Sequence, residues 1–227
     1  MARMRQIKNE LKSQLQAEQW QDFVPDIAKG GMAHVGPLFS MLLLGPLMMH
    51  RAACCLGATC ALLAKETPEQ ARIVMRRFMW HMNEESGNIG WGIPESFGET
   101  LAQSPLLAKE YHRILLSYIM DTQQEDNFCD NDILRRSCFW AVGRLAKAHP
   151  ELCASARPWL VKGLDDADTI CRGMAAWALQ QLPPSLMDAP ALRRLEISCI
   201  VDTCILFDGQ QIFEKSVSEL ARDALRR

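Results

Sequence analysis

Trp91 and Glu95 stand four residues apart in "GNIGWGIPESFG" (87–98), so a helix would present both on one face. Arg136 and Trp140 have the same spacing, as do His50 and Cys54, and Arg172 sits in a similar segment further on. Glu84 and Glu85 precede the glycine-rich stretch. Tryptophans flanked by charges are what a recognition hot spot is made of, and binding is the chemistry this set suggests first. A Glu95–Arg136 ion pair with the tryptophans packed over it is the structural alternative. Metal and nucleophile chemistry find less support. The five histidines contain no pair at i+3 or i+4, although His81-x-x-Glu84 and His50-x-x-x-Cys54 each offer two ligands. No G-x-S-x-G or P-loop occurs, and "GNIGWG" lacks a preceding strand. No metal and no cofactor are expected.

The elements that must carry these residues read as helices. In 67–82, Thr67-Pro68-Glu69-Gln70 has the form of a capping box, followed by Ala71, Val74, Met75, Phe78, Met79 and Met82 at helical spacing. Ser104-Pro105 and His149-Pro150 open two more helices, and strand-like alternation is not seen. Apolar residues make up 48% of the chain and charged residues 23%, values of an ordinary globular protein. The net charge of −2 argues against a nucleic-acid partner held by bulk charge. Nine cysteines lie mostly in apolar runs without a C-x-x-C, which predicts reduced thiols and a cytoplasmic location. The opening "MARMRQIKNELKSQLQAEQW" has no apolar core of a signal peptide. His50 and Arg51 end the run "PLFSMLLLGPLMM" too early for a membrane span, so no membrane association is expected.

Four windows align on a terminal glycine or its equivalent: "MMHRAACCLG" (48–57), "IGWGIPESFG" (89–98), "LRRSCFWAVG" (134–143) and "ICRGMAAWAL" (170–179). "IFEKSVSELA" (212–221) is a weaker fifth. First, fifth and ninth positions are mostly apolar and face a core. Third and seventh positions then point away from it, among them His50, Trp91, Glu95, Arg136, Trp140 and Arg172. Gly45, Ser86 and Asn131 are suitable N-caps upstream. The second window would be a helix over 88–102, with Pro94 bending it either for packing or for a ligand.

The pattern apolar-Arg-x-x-Ala-x-x-Ala-Leu-Gly resembles the second helix of HEAT repeats, especially the short type named after phycocyanobilin lyase, over roughly residues 38–225. "MNEESGNIGWGIPE" also resembles an uncharacterised family of single-domain HEAT-like proteins from anaerobic bacteria. The resemblance implies a right-handed α-solenoid of about five helix pairs in one domain, with residues 1–35 an N-terminal helix and loop and 36–227 the repeats. Second helices would line a concave groove holding His50, Glu84, Glu85, Trp91, Glu95, Arg136, Trp140 and Arg172, for a protein partner or a ligand. HEAT-like DNA glycosylases that excise alkylated bases use Trp-x-x-x-Asp and a later arginine, and Trp91, Glu95 and Arg136 are similar in order. That resemblance implies an alternative in which Glu95 stabilises a cationic sugar as the base leaves. Against it, the acid is Glu, and residues 130–172 hold seven Lys/Arg against six Asp/Glu rather than a basic excess.

Overall fold

The computed structural model describes residues 2–83, 90–124, 126–185, 188–198 and 200–227. Among them are twelve α-helices and one hairpin: α1 (Ala2–Gln16), α2 (Val24–Lys29), α3 (Met32–Met41), α4 (Pro46–Glu66), α5 (Pro68–Met82), α6 (Ile93–Gln103), α7 (Pro105–Ser117), α8 (Asp132–Ala148), α9 (Arg157–Gly163), α10 (Thr169–Gln180), α11 (Ala189–Ile197), β1 (Thr203–Phe207), β2 (Ile212–Ser216) and α12 (Val217–Leu225). The chain divides into two compact units, Met1–Lys109 with Gly209–Gln211, and Glu110–Asp208 with Ile212–Arg227.

In the first unit the apolar run of 37–49 splits at Gly45, whose φ of 93° suits a residue without a side chain. α4 follows with Pro46 in its first turn. It is long and apolar enough to cross a membrane, but most of that stretch is buried within the fold, where α2, α3, α5 and α6 pack against it. Thr67 does precede α5, but its hydroxyl reaches the Gln70 side chain at 3.4 Å instead of capping the backbone.

In the second unit α10 lies among α8, α9 and α12. Asn131 caps α8 through Leu134 N, and Asp168 caps α10 through Cys171 N. Residues 150–163 form two short 3-10 turns and then α9, with Pro158 in its first turn, so His149-Pro150 opens a 3-10 turn and not the helix expected there. The glycine that recurs along the windows marks a close approach. A Cβ on Gly57 would lie 3.0 Å from the Glu99 backbone, and one on Gly143 would lie 2.9 Å from Ala178 Cα. The close approach is between successive second helices, α4 with α6 and α8 with α10, not between the two helices of one pair.

The fifth window is corrected. Its first half is strand β2, paired antiparallel with β1 from Thr203↔Ser216 to Phe207↔Ile212, and helix begins only at Val217. Asp208-Gly209 opens the connection, with Gly209 at φ 106°. Cys204 and Leu206 are buried while Thr203 and Ile205 are exposed, the alternation of a strand with one covered face. Gly173 on α10 leaves room for the Cys204 sulfur. Ser216 caps α12 in a full capping box with Glu219. Glu214 and Ser218 therefore do not share a helix.

Candidate functional site

Close packing accounts for the glycines around Trp91. Gly92 is the N-cap of α6 at φ 74°, and a Cβ there would come within 2.8 Å of Leu42 Cβ and 2.9 Å of Met49 Cγ. One on Gly90 would press the His81 carbonyl oxygen at 2.9 Å. The turn is thus seated on the α3–α4 corner and the end of α5. Pro94 lies in the first turn of α6, where a missing N–H costs nothing, so it starts the helix and does not bend it. Trp91 sits in the turn, 36% exposed. Around the same corner Leu43, Leu44 and Leu47 are also exposed.

The expected outward-facing set is only partly at the surface. Glu95 and His50 are each 4% exposed, Trp140 is 3%, and Ala176 is fully buried. Every residue from Ile93 to Leu101 is buried, including Glu95, Ser96, Glu99 and Thr100. A second helix in a stack meets neighbours on more than one flank, so its third and seventh positions are covered whatever their polarity. Glu84 and Glu85, with the N-cap assigned to Ser86, lie outside the described residues.

What α4 and α6 share is a buried polar seam. Gln103 donates to the Cys54 carbonyl at 3.2 Å and to Glu99 Oε2 at 3.0 Å, and the Thr59 hydroxyl donates to the Cys55 carbonyl at 2.7 Å. Burial pushes the Cys55 and Cys60 thiols up to about 12, which keeps both protonated and poor nucleophiles. The same burial lowers His50 to about 4, with the nearby charge of Glu99 opposing the shift. A folded pKa below the unfolded value means His50 contributes stability above about pH 6.5 that is lost as pH falls towards 4. From about pH 7 to about pH 5 this residue should cost about 2 kcal/mol of unfolding free energy. Denaturant titrations at the two pH values should show that loss, and His50→Gln should remove most of it. An unchanged loss in the variant would mean that His50 is not the group responsible.

The second unit uses its arginines internally. Arg136 binds Asp168 through two bonds, 2.9 and 2.5 Å, which raises its pKa above the usual arginine value. Arg172 Nε donates to the Asp166 carbonyl at 2.5 Å. Arg135, absent from the expected site, clamps Asp166 at 2.9 and 3.0 Å, and Arg157 pairs with Asp188. Trp140 stacks on Trp177 with ring centres 6.0 Å apart and planes 4° from parallel. Arg136 remains half-buried at the surface, with its guanidinium committed to Asp168. Glu95, the carboxylate that a nucleotide would have to meet, is enclosed. Among the described residues no group of three or more His, Cys, Asp or Glu is placed to hold a metal ion.

The pairs Arg135–Asp166 and Arg136–Asp168 tie α8 to the turn before α10, each helix capped by an Asn or Asp. The family pattern described as a HEAT-like repeat matches residues 132–182, the stretch from the start of α8 to just past α10. This segment is similar to a HEAT-like repeat. By sequence, no curated protein matches the chain. Among solved structures, an engineered protein shares the fold over 100% of this chain and 96% of its own, with a TM-score of 0.52 and 15% identity. A designed armadillo repeat protein in complex with the peptide (KR)4 aligns over 96% of this chain and 97% of its own, with a TM-score of 0.48 and 15% identity. The chain is mostly helical, carries a HEAT-like repeat pattern over residues 132–182, and has the fold of that engineered protein. Within residues 132–182, Asp166 and Asp168 are the ion-pairing acids that lie outside the expected site. Their signal was there, in "DDAD" immediately before an apolar helix.

Proposed function

We propose that this protein is a non-catalytic binding module or scaffold whose partner is another protein, engaged through the surface around Trp91. The observation that carries this is the exposure of Trp91 beside a corner where Leu43 is 65% exposed and Leu44 and Leu47 are also open to solvent. Soluble folds seldom leave so many large apolar residues together without a partner, and tryptophan is enriched where binding energy concentrates. The partner face is centred on Trp91 and the α3–α4 corner instead of on a groove through Glu95 and Trp140. A reducing, cytoplasmic setting belongs to the same reading, supported by the eight described cysteines, all free thiols. The net charge of −2 supports a protein partner over a nucleic acid.

Trp91→Ala should change stability by less than about 1 kcal/mol, because the side chain is a partly exposed turn residue. Retention of the partner from an extract of the source organism should nevertheless weaken by about 2 kcal/mol or more. Affinity capture with wild type and variant side by side, with melts as controls, reads both quantities. A partner held equally well by both proteins would move the binding surface elsewhere.

A further inference from the structure

We propose that the second unit carries a small binding pocket between α10, α11 and α12 for an apolar group bearing a neutral amide, with an amide N–H of the ligand donating to Asp188. The pocket has a volume of about 250 Å³ and is walled by Leu179, Leu182, Leu192 and Leu225, with Asp188 and Arg227 as its charged members. Drug-sized sites run from roughly 300 to 1,000 Å³, so the occupant is a single residue-sized group.

Asp188 decides the chemistry. It is 4% exposed, and Oδ2 accepts from Arg157. Oδ1 is buried and accepts no hydrogen bond. Asp188 stands at the N-cap of α11, yet its side chain does not cap that helix. A buried carboxylate oxygen without a donor is costly, and such groups in folded proteins call for an explanation. Here the unmet acceptor belongs to a residue that lines a cavity.

Charge selects among donors. Arg157 already neutralises Asp188, and Arg227 adds a further positive charge while donating to the Gln180 carbonyl. Because that carboxylate is already paired with Arg157, an ammonium ligand would find no uncompensated negative charge there, whereas a neutral N–H satisfies Oδ1 without adding a charge. Arg227 has donors left for a carbonyl oxygen, since a guanidinium carries five N–H groups. Donor, acceptor and apolar body together describe the amide of a leucine-like residue.

The test uses the full chain, isotope-labelled for NMR, titrated with N-acetyl-leucinamide. Saturable shifts are expected for residues of α10–α12 that line the pocket. The fully N-methylated analogue, which has the same apolar body and no N–H, should bind about tenfold more weakly, the scale of one lost hydrogen bond. Asp188→Asn, which offers N–H where the oxygen was, should weaken binding to a similar degree. Ala189→Leu, which fills the cavity without touching Asp188, should abolish it and decides the matter if Asp188→Asn does not fold. Equal binding of the methylated analogue, undiminished binding to Ala189→Leu, or no saturable shift would each overturn the assignment. Trp91→Ala should leave the titration unchanged, so failure here is distinguishable from failure of the Trp91 surface.

Discussion

Arg135→Ala is expected to cost about 3–5 kcal/mol of unfolding free energy, because it strips one partner from a buried ion pair. The Arg135 side chain is 8% exposed and that of Asp166 10%. Besides Asp166, Arg135 donates to the carbonyls of Cys129 and Asp130 at 2.9 and 3.0 Å, and its guanidinium lies 5.2 Å from the Phe128 ring. One side chain therefore holds the segment before α8 and the turn before α10. Removing it leaves a desolvated carboxylate and two carbonyls without their donor, a much larger loss than an exposed ion pair could cause. Chemical denaturation of the variant measures the cost. Removing both partners in Arg135→Met with Asp166→Leu should cost less than the sum of the single changes, since neither charge is then stranded. A loss below about 1 kcal/mol for Arg135→Ala would place the pair with ordinary surface ion pairs.

Trp140→Ala should be as damaging, by about 3–5 kcal/mol, the usual cost of truncating a buried large aromatic. Trp140 is buried between α8 and α10, where its ring faces that of Trp177. Gly143 lies next to the same stack, so no neighbouring side chain can swing in to fill the void. Trp140→Phe keeps an aromatic face and should recover a good part of the loss. Thermal or denaturant unfolding of Trp140→Ala beside Trp91→Ala sets the two tryptophans apart: a large loss for the first and a small one for the second. The opposite order would return Trp140 to the binding surface and put Trp91 in the core.

How much of the site was legible depends on which force placed each residue. Asn131 as an N-cap, Gly45-Pro46 as a helix start and the apolar first, fifth and ninth positions of the windows are local features, set by backbone sterics and the 3.6-residue period. Pro94 is ambiguous in the sequence because the same residue is harmful inside a helix and favourable in its first turn. The difference rests on Gly92 taking a left-handed conformation, which packing against Leu42 and Met49 requires. The hairpin 203–216 was missed because a short apolar run such as "TCILF" has no period long enough to separate strand from helix, although Asp208-Gly209 marked the turn.

By itself, the sequence determined the helical class, the helix starts at Pro46 and Asp132, and the core-facing positions of the first four windows, since these follow from periodicity and backbone chemistry within a few turns. Only the tertiary structure decided which of the remaining faces stay exposed. Among the described residues α4 is packed by α1, α2, α3, α5 and α6, and α10 by α8, α9, α12 and β1, so His50, Trp140 and Ala176 are enclosed by elements distant in the chain. Glu95 lies on a helix whose residues 93–101 are all buried, and its charge gave no sign of that. Periodicity reports where the first neighbour lies; coverage by a second and third neighbour is a property of the stack, to which a residue's own polarity is a poor guide. Trp91 escaped enclosure because it belongs to a turn, and Asp188 kept one oxygen unmet because Arg157 comes from another helix and reaches one side of it.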